Sequence, residues 1–180
     1  MTSRFRKLSE ERVYHGAIID LAHARYAAPD GQEFERDIVR SYGAVAVVPV
    51  DDDGKVTLVR QFRAAIEQDL LEIPAGKQDV SDEEPVETAK RELAEEVGLR
   101  ADSYELLCRF YNSAGFCDEL TWVYLATGLA PADLDRQGIE EAHMAIETFS
   151  LDDVLGLIAR GEIIDAKTTV GLSLVLARRA

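Results

Sequence analysis

The residues most able to do chemistry stand in the run Arg91-Glu92-Leu93-Ala94-Glu95-Glu96-Val97-Gly98-Leu99. In a helix each residue advances about 100°, so Glu92 and Glu96 lie one above the other, about 40° apart, and Glu95 sits about 60° to the other side of Glu92. Three carboxylates on one narrow face repel one another. Glu95 and Glu96 also occupy the last turn, where the helix dipole favours cations. Stability alone does not ask for this arrangement. Mg2+ or Mn2+ held by these hard oxygen donors would remove the conflict. A solvated acidic face is the plainer alternative. Arg91 weighs against it as an orienting cation beside Glu92 and Glu95, as do the bracketing Gly76 and Gly98 and a further acid at Glu83.

The elements that must position these groups are legible in outline. Pro85 suits a first helical position. Val86, Ala89, Leu93 and Val97 then recur at spacings of three and four, which predicts a helix over 85–97 ended by Gly98. Before it, 70–74 reads as a short extended segment, Ala75-Gly76-Lys77 as a tight bend, and 77–84 as a polar loop. Strands are expected at 44–50, 55–62, 103–109, 120–126 and 143–149, and helices at 151–160 and 165–178. Asp51-Asp52-Asp53-Gly54 reads as a hairpin turn. A loop covers 111–119, and 129–142 is a long acidic loop. Strands on either side of helices predict an α/β class. Residues 1–12 are polar and expected to be loosely ordered. Residues 12–40, broken by Ala28-Pro29-Asp30-Gly31, read as an exposed β-hairpin whose apolar face needs a partner. The expected division is an N-terminal extension, 1–42, and a main domain, 43–180.

Composition narrows the function classes. The chain has 180 residues, of which 47% are apolar and 30% charged, as in a globular protein. Its net charge of −14 disfavours nucleic-acid binding through phosphate contacts. No apolar run approaches the length of a membrane span. With two cysteines, Cys108 and Cys117, and an N-terminus lacking an apolar targeting core, a reducing cytoplasm is expected. His15, His23 and His143 lack metal-site spacing, and no P-loop, Gly-x-Gly-x-x-Gly or Ser-His-Asp pattern is present.

The run 91–99 resembles the C-terminal half of the Nudix hydrolase signature, Arg-Glu-aliphatic-any-Glu-Glu-any-Gly-aliphatic, with Gly76 and Glu83 upstream. The usual signature has five residues between the Gly and the first Glu, and this chain has six. A one-residue loop insertion accounts for that, with Glu83 or Asp82 filling the acidic position. The resemblance implies a Nudix α/β/α sandwich around a mixed β-sheet and a metal-dependent hydrolase of nucleoside diphosphates linked to another group. By position it implies Glu92, Glu96 and Glu95 as metal ligands, the Ala75 carbonyl as a further one, and an orienting pair between Arg91 and Glu83. Leu71-Glu72-Ile73-Pro74-Ala75-Gly76, the N-terminal hairpin and Ala114-Gly115-Phe116-Cys117-Asp118-Glu119 are similar to the ADP-ribose pyrophosphatase branch of the family. That branch implies a homodimer in which the hairpin is exchanged between subunits. One position departs from it: Ala114 stands where those enzymes tend to carry Pro, which leaves the substrate's sugar and base open.

The expected reaction is Mg2+-dependent (or Mn2+-dependent) cleavage of ADP-ribose to AMP and ribose 5-phosphate. The alternatives are the same hydrolysis of another nucleoside diphosphate sugar, such as GDP-mannose, or a non-catalytic ADP-ribose-binding sensor. The family places its catalytic base in the loop before the last strand, which here offers Glu141, the favoured residue, or Glu140. Arg91 and Glu95 support the catalytic set. Arg63, then Arg36, are the candidates for substrate phosphate. Glu72 and Glu119 are candidate acceptors from base or ribose, and Phe116 or Tyr111 candidates to stack on the base.

Overall fold

The computed structural model describes residues 4–80 and 82–179. The chain divides into two compact units, one of residues 1–43 with 111–120, the other of 44–110 with 121–180.

The first unit is an antiparallel meander of β1 (Arg6–His15), β2 (Asp20–Ala27) and β3 (Glu33–Arg40). Two strands were expected and three are present. Most of the segment expected to be loosely ordered forms β1, while residues 1–3 lie outside the described residues. β1 escaped the sequence pattern because nearly all of it is exposed and none of it alternates. Its backbone ladder with β2 holds it, helped by ion pairs. Arg40 donates to Glu10 from Nε (3.0 Å) and Nη2 (2.7 Å). The segment 111–120 is tied to β3: the Val39 N–H donates to Phe116 O at 2.7 Å, the Asp118 N–H to Val39 O at 3.2 Å, and Arg40 Nη1 to Asp118 at 2.9 Å. The unit buries mainly alanines, Ala22, Ala24 and Ala27, and leaves Phe5, Val13, Tyr14, Ile18, Ile19 and Tyr42 exposed.

The second unit has helices on both faces of a mixed sheet. Its strands are β4 (Ala44–Pro49), β5 (Lys55–Arg63), β6 (Gln68–Glu72), β7 (Ala75–Lys77), β8 (Leu99–Tyr111), β9 (Leu120–Pro131) and β10 (Ala145–Ser150). Its helices are α1 (Pro85–Val97), α2 (Gly138–Ala142), α3 (Val154–Ala159, entered through a 3₁₀ turn) and α4 (Ala166–Arg179). The mixed sheet runs β7-β4-β9-β8, with β4 antiparallel to β7 and parallel to β9; a second, antiparallel sheet runs β10-β5-β6.

The alternation of β4 explains the layering. Side chains of successive strand residues point to opposite faces. Val45 and Val47 pack with Ala89, Leu93 and Val97 of α1, whereas Ala46 and Val48 pack with Leu157 of α3 and with Leu172 and Val175 of α4. Two apolar layers on one buried strand require a helix on each side, which is an α/β/α sandwich. α4 lies close to the sheet because Gly171 has no side chain; a Cβ there would sit 2.9 Å from Val48 Cγ2 and 3.0 Å from Val123 Cγ1.

Two further expectations are corrected. Ala75–Lys77 is not a bend but a short strand, with Val45 opposite Gly76 and Ala46 opposite Ala75. The long loop 129–142 is partly ordered, because β9 continues to Pro131 and α2 forms at its far end.

Candidate active site

α1 is built as its sequence predicts. Pro85 occupies the first turn after an extended Glu84, and Gly98 takes the left-handed conformation (φ 64°), its N–H donating to the carbonyls of Ala94 and Leu93. The apolar stripe of α1 faces the sheet and carries Glu92 and Glu96 inward with it, leaving them only 7% and 3% exposed. Both meet β7. The Ala75 N–H donates to Glu96 Oε2 at 2.9 Å. Gly76 leaves room for Glu92: a Cβ at that position would lie 1.9 Å from the Glu92 carboxyl carbon. This glycine is required for close approach, not for a turn.

Arg91 gathers the surrounding acids. Its Nη1 donates to Glu92 Oε1 at 2.7 Å and to Glu95 Oε2 at 3.1 Å, while Nη2 reaches Glu83 Oε2 at 3.5 Å. Thr88 Oγ1 also donates to Glu83, at 2.7 Å. Glu83, one of the two acids the sequence left open, meets Arg91. In the loop before α1, Asp82 adopts φ 63° and the Glu83 N–H donates to Val80 O. Arg91 Nε is buried and, among the described residues, has no hydrogen-bond partner.

Burial dominates the electrostatics. It pushes the Glu92 carboxyl up to about 7; Arg91 opposes the rise and Glu95 adds to it. Burial pushes Glu96 up to about 8, opposed by the Ala75 N–H and reinforced by Glu92. The two acids the helix brings together are therefore poorly compensated as anions. An all-oxygen donor set in need of positive charge fits a hard divalent cation. As the side chains stand, no three His, Cys, Asp or Glu groups converge as a ready ion cage among the described residues. Arg91 holds Glu92 and Glu95 in their present positions.

The loop before β10 is fastened to the C-terminal end of α1. The Asp135 N–H donates to Glu95 O at 3.3 Å, Arg136 Nε to Glu96 O at 3.3 Å, and Arg136 Nη1 to Met144 O at 2.8 Å. Arg136 thus brings to this helix terminus the cation that the last turn of α1 lacks. Glu141 is half-buried, accepts from the Gln137 N–H at 2.6 Å, and acts electrostatically on both Glu92 and Glu96. Glu140 is exposed.

A second polar cluster lies where β5, β6 and α4 meet. Glu72, 1% exposed, accepts from Arg63 Nε at 2.7 Å and Nη2 at 2.5 Å, and also from Lys167 Nζ. Lys167 also pairs with Asp165 at 3.0 Å. Asp165 accepts from the N–H and Oγ1 of Thr168, whose Oγ1 in turn accepts from the Ile73 N–H. The Arg63 charge is felt at Glu96, which places this cluster beside the acidic one.

Sequence reasoning missed Lys167, Asp165, Thr168 and Arg136. Asp165-x-x-Thr168 ahead of an apolar helix is a readable capping pattern. Lys167 gave no signal, because its partner Glu72 is 95 positions away. Arg36, Phe116 and Glu119 belong to the first unit. There Arg36 lies 4.7 Å over the Phe34 ring, Phe116 and Tyr111 are exposed, and Glu119 accepts from Ser41 Oγ and Asn112.

The comparisons with known proteins agree with this arrangement. Over 173 residues, covering 96% of this chain, it is 38% identical to an ADP-ribose pyrophosphatase of Bacillus subtilis (strain 168), 93% of which is covered. It is equally identical, over the same share of this chain, to an ADP-ribose pyrophosphatase of Mycobacterium tuberculosis (strain ATCC 25618 / H37Rv), 84% of which is covered. A crystal structure of an ADP compounds hydrolase superposes with a TM-score of 0.84 at 21% identity, over 97% of this chain and 93% of the other, and so shares the fold. A model of the NUDIX domain matches residues 41–170, the stretch that holds α1, the strand beside it and the acidic loop. Nudix hydrolases generally need a divalent metal, the ion that the donor chemistry of Glu92 and Glu96 fits. With most of its length matched and the signature acids gathered on one helix, the chain belongs to the Nudix family.

Proposed function

We propose that this protein hydrolyses the diphosphate bond of ADP-ribose, giving AMP and ribose 5-phosphate with Mg2+ or Mn2+ as cofactor. The observation that carries the reading is the pair Glu92 and Glu96, buried together against Ala75 and Gly76 and left without enough positive charge. The choice of ADP-ribose is supported by the names of the two relatives.

Glu92, Glu95, Glu96 and the Ala75 carbonyl are the groups that would hold the ion. Held there, a divalent cation would supply the positive charge that neutralises the diphosphate and would make water a better nucleophile. The protein's own residues do the rest. Arg91, anchored by Glu83, orients the carboxylates. Glu141 takes the proton of the attacking water as general base; its position near Glu92 and Glu96 favours it over the exposed Glu140. Arg63 takes a phosphate oxygen, with Arg36 the second candidate for that role. Glu119 accepts from ribose or base while Phe116 stacks. Glu72, with its carboxylate engaged by Arg63 and Lys167, serves the substrate through Arg63.

The first unit acts as a dimerisation arm, exchanged between two copies so that its exposed Val13, Tyr14, Ile18 and Ile19 become covered. No helix among the described residues is long and apolar enough to cross a membrane. Two unpaired cysteines suit a reducing cytoplasm.

The test is turnover of a panel containing ADP-ribose and GDP-mannose, in chelator, Mg2+ and Mn2+, with products separated by chromatography. AMP and ribose 5-phosphate should appear from ADP-ribose only when metal is present. Faster release of GMP from GDP-mannose would move the assignment to that substrate. Tight ADP-ribose binding without products would make the protein a sensor.

A further inference from the structure

Glu72 carries more positive charge than one carboxylate needs. It is 1% exposed, yet it has two cationic partners, Arg63 and Lys167. The two differ in freedom. The Lys167 side chain is 12% exposed and is also held by Asp165 at 3.0 Å. Arg63 is 38% exposed, sits at the end of β5, and projects its charge onto Glu96 of the acidic cluster. Lys167 is the more enclosed cation, held by two acids, whereas Arg63 is the more exposed and pairs with Glu72.

The physical problem is the cost of moving Arg63. An arginine that bonds a substrate phosphate must give up some of its contact with its own carboxylate. Were Arg63 the sole partner of Glu72, each binding event would strand a buried, unpaired negative charge, one of the most destabilising changes a protein interior can undergo. With Lys167 in place, Glu72 stays compensated when Arg63 leaves. Asp165 stays compensated too, since it holds the N–H and hydroxyl of Thr168.

We propose that Lys167 is a positioning residue: as the second, fixed counter-ion of buried Glu72, it releases Arg63 to bind a phosphate oxygen of a diphosphate substrate. This rests on the diphosphatase reading and on the phosphate role of Arg63, and its test separates the three. The purely structural alternative is that Lys167 only pins the start of α4 to β6.

The experiment compares wild type, Lys167→Met, Lys167→Arg, Glu72→Gln/Lys167→Met and Arg63→Ala. Each is measured for KM and kcat with ADP-ribose and Mg2+, for calorimetric binding of α,β-methylene-ADP, which cannot be cleaved at that bridge, and for thermal stability. In Lys167→Met, Arg63 is the counter-ion that remains on Glu72 among the described residues, so KM and the analogue Kd should each rise about tenfold or more while kcat changes far less. Lys167→Arg should recover most of the affinity. Neutralising the carboxylate removes the need for a second cation, so the double variant should bind the analogue more tightly than Lys167→Met does. If the double variant binds no better than Lys167→Met, or if Lys167→Met loses thermal stability with no change in affinity, the proposal is overturned. Should Lys167→Met fail to fold, Lys167→Arg and the double variant decide: a folded double variant with near wild-type affinity supports the proposal, and one with affinity as weak as Arg63→Ala overturns it. Arg63→Ala binding the analogue as wild type does would overturn it as well, while leaving the diphosphatase reading intact. Wild type that binds the analogue but cleaves no ADP-ribose would refute the hydrolase reading alone.

Discussion

Gly76 shows how a single atom can govern the site. The room it leaves is filled by the Glu92 carboxyl, the far end of a flexible side chain, so an added methyl displaces that carboxyl without breaking the backbone. Gly76→Ala should therefore retain nearly the wild-type melting temperature yet lose on the order of a hundredfold in kcat/KM, a size typical of a misplaced catalytic group. Steady-state kinetics beside a thermal melt would check both halves. The buried acids make a second prediction. Their folded values, about 7 for Glu92 and about 8 for Glu96, lie above the ordinary 4.5. A carboxyl raised in this way binds protons more tightly in the folded state. Its contribution to stability is full below the ordinary value and is lost as pH rises through the folded value. Metal-free protein should lose stability between about pH 4.5 and about pH 8, and Glu92→Gln/Glu96→Gln should lose less over that window. Mg2+ should raise the melting temperature more at about pH 9 than at about pH 5, since ligands must be deprotonated to bind it. An equal rise at both would count against these acids as ligands. Local spacing made Arg91, Glu92, Glu95 and Glu96 legible in the sequence. It could not reveal that Glu92 and Glu96 are buried, because that depends on β7 lying beside α1.

At the scale of elements, α1 is the segment whose bounds the sequence predicts best: Pro85, the apolar spacing and Gly98 all specify the same helix. β7 was misread because three residues containing a glycine satisfy turn chemistry and strand pairing equally well. Only β4 beside them decides. The loop carrying Glu141 was legible as acidic but not as anchored, since Arg136 works by reaching the carbonyls of Glu96 and Met144. Arg136→Met should loosen that anchorage, lowering stability by about 1–2 kcal/mol through two lost hydrogen bonds. It should also lower kcat more than it raises KM, because Glu141 would be misplaced and not the substrate. Denaturant unfolding together with kinetics would measure both effects. An unchanged kcat would detach this loop from catalysis.

At the scale of the whole molecule, the sequence shows an extension whose apolar face needs a partner, and the structure shows which side chains make up that face. The first unit buries chiefly small alanines and exposes its large apolar side chains. Its third strand was invisible to pattern reading because backbone pairing and the Glu10–Arg40 ion pair hold β1, where no buried face exists. If that arm is exchanged between copies, light scattering on a sizing column should give twice the 19.9 kDa of one chain. Ile18→Asp/Ile19→Asp should shift the protein toward that single-chain mass. A monomeric wild type would exclude the exchange and require each chain to build its substrate site alone.

The proposed activity turns on whether the buried helix acids bring about diphosphate cleavage. The most direct measurement is AMP release from ADP-ribose, at saturating Mg2+, by wild type and by folded Glu96→Gln that still binds the nucleotide. AMP and ribose 5-phosphate should form with wild type, and none should be detectable with the variant. Glu96→Gln turning over at the wild-type rate would contradict the proposal.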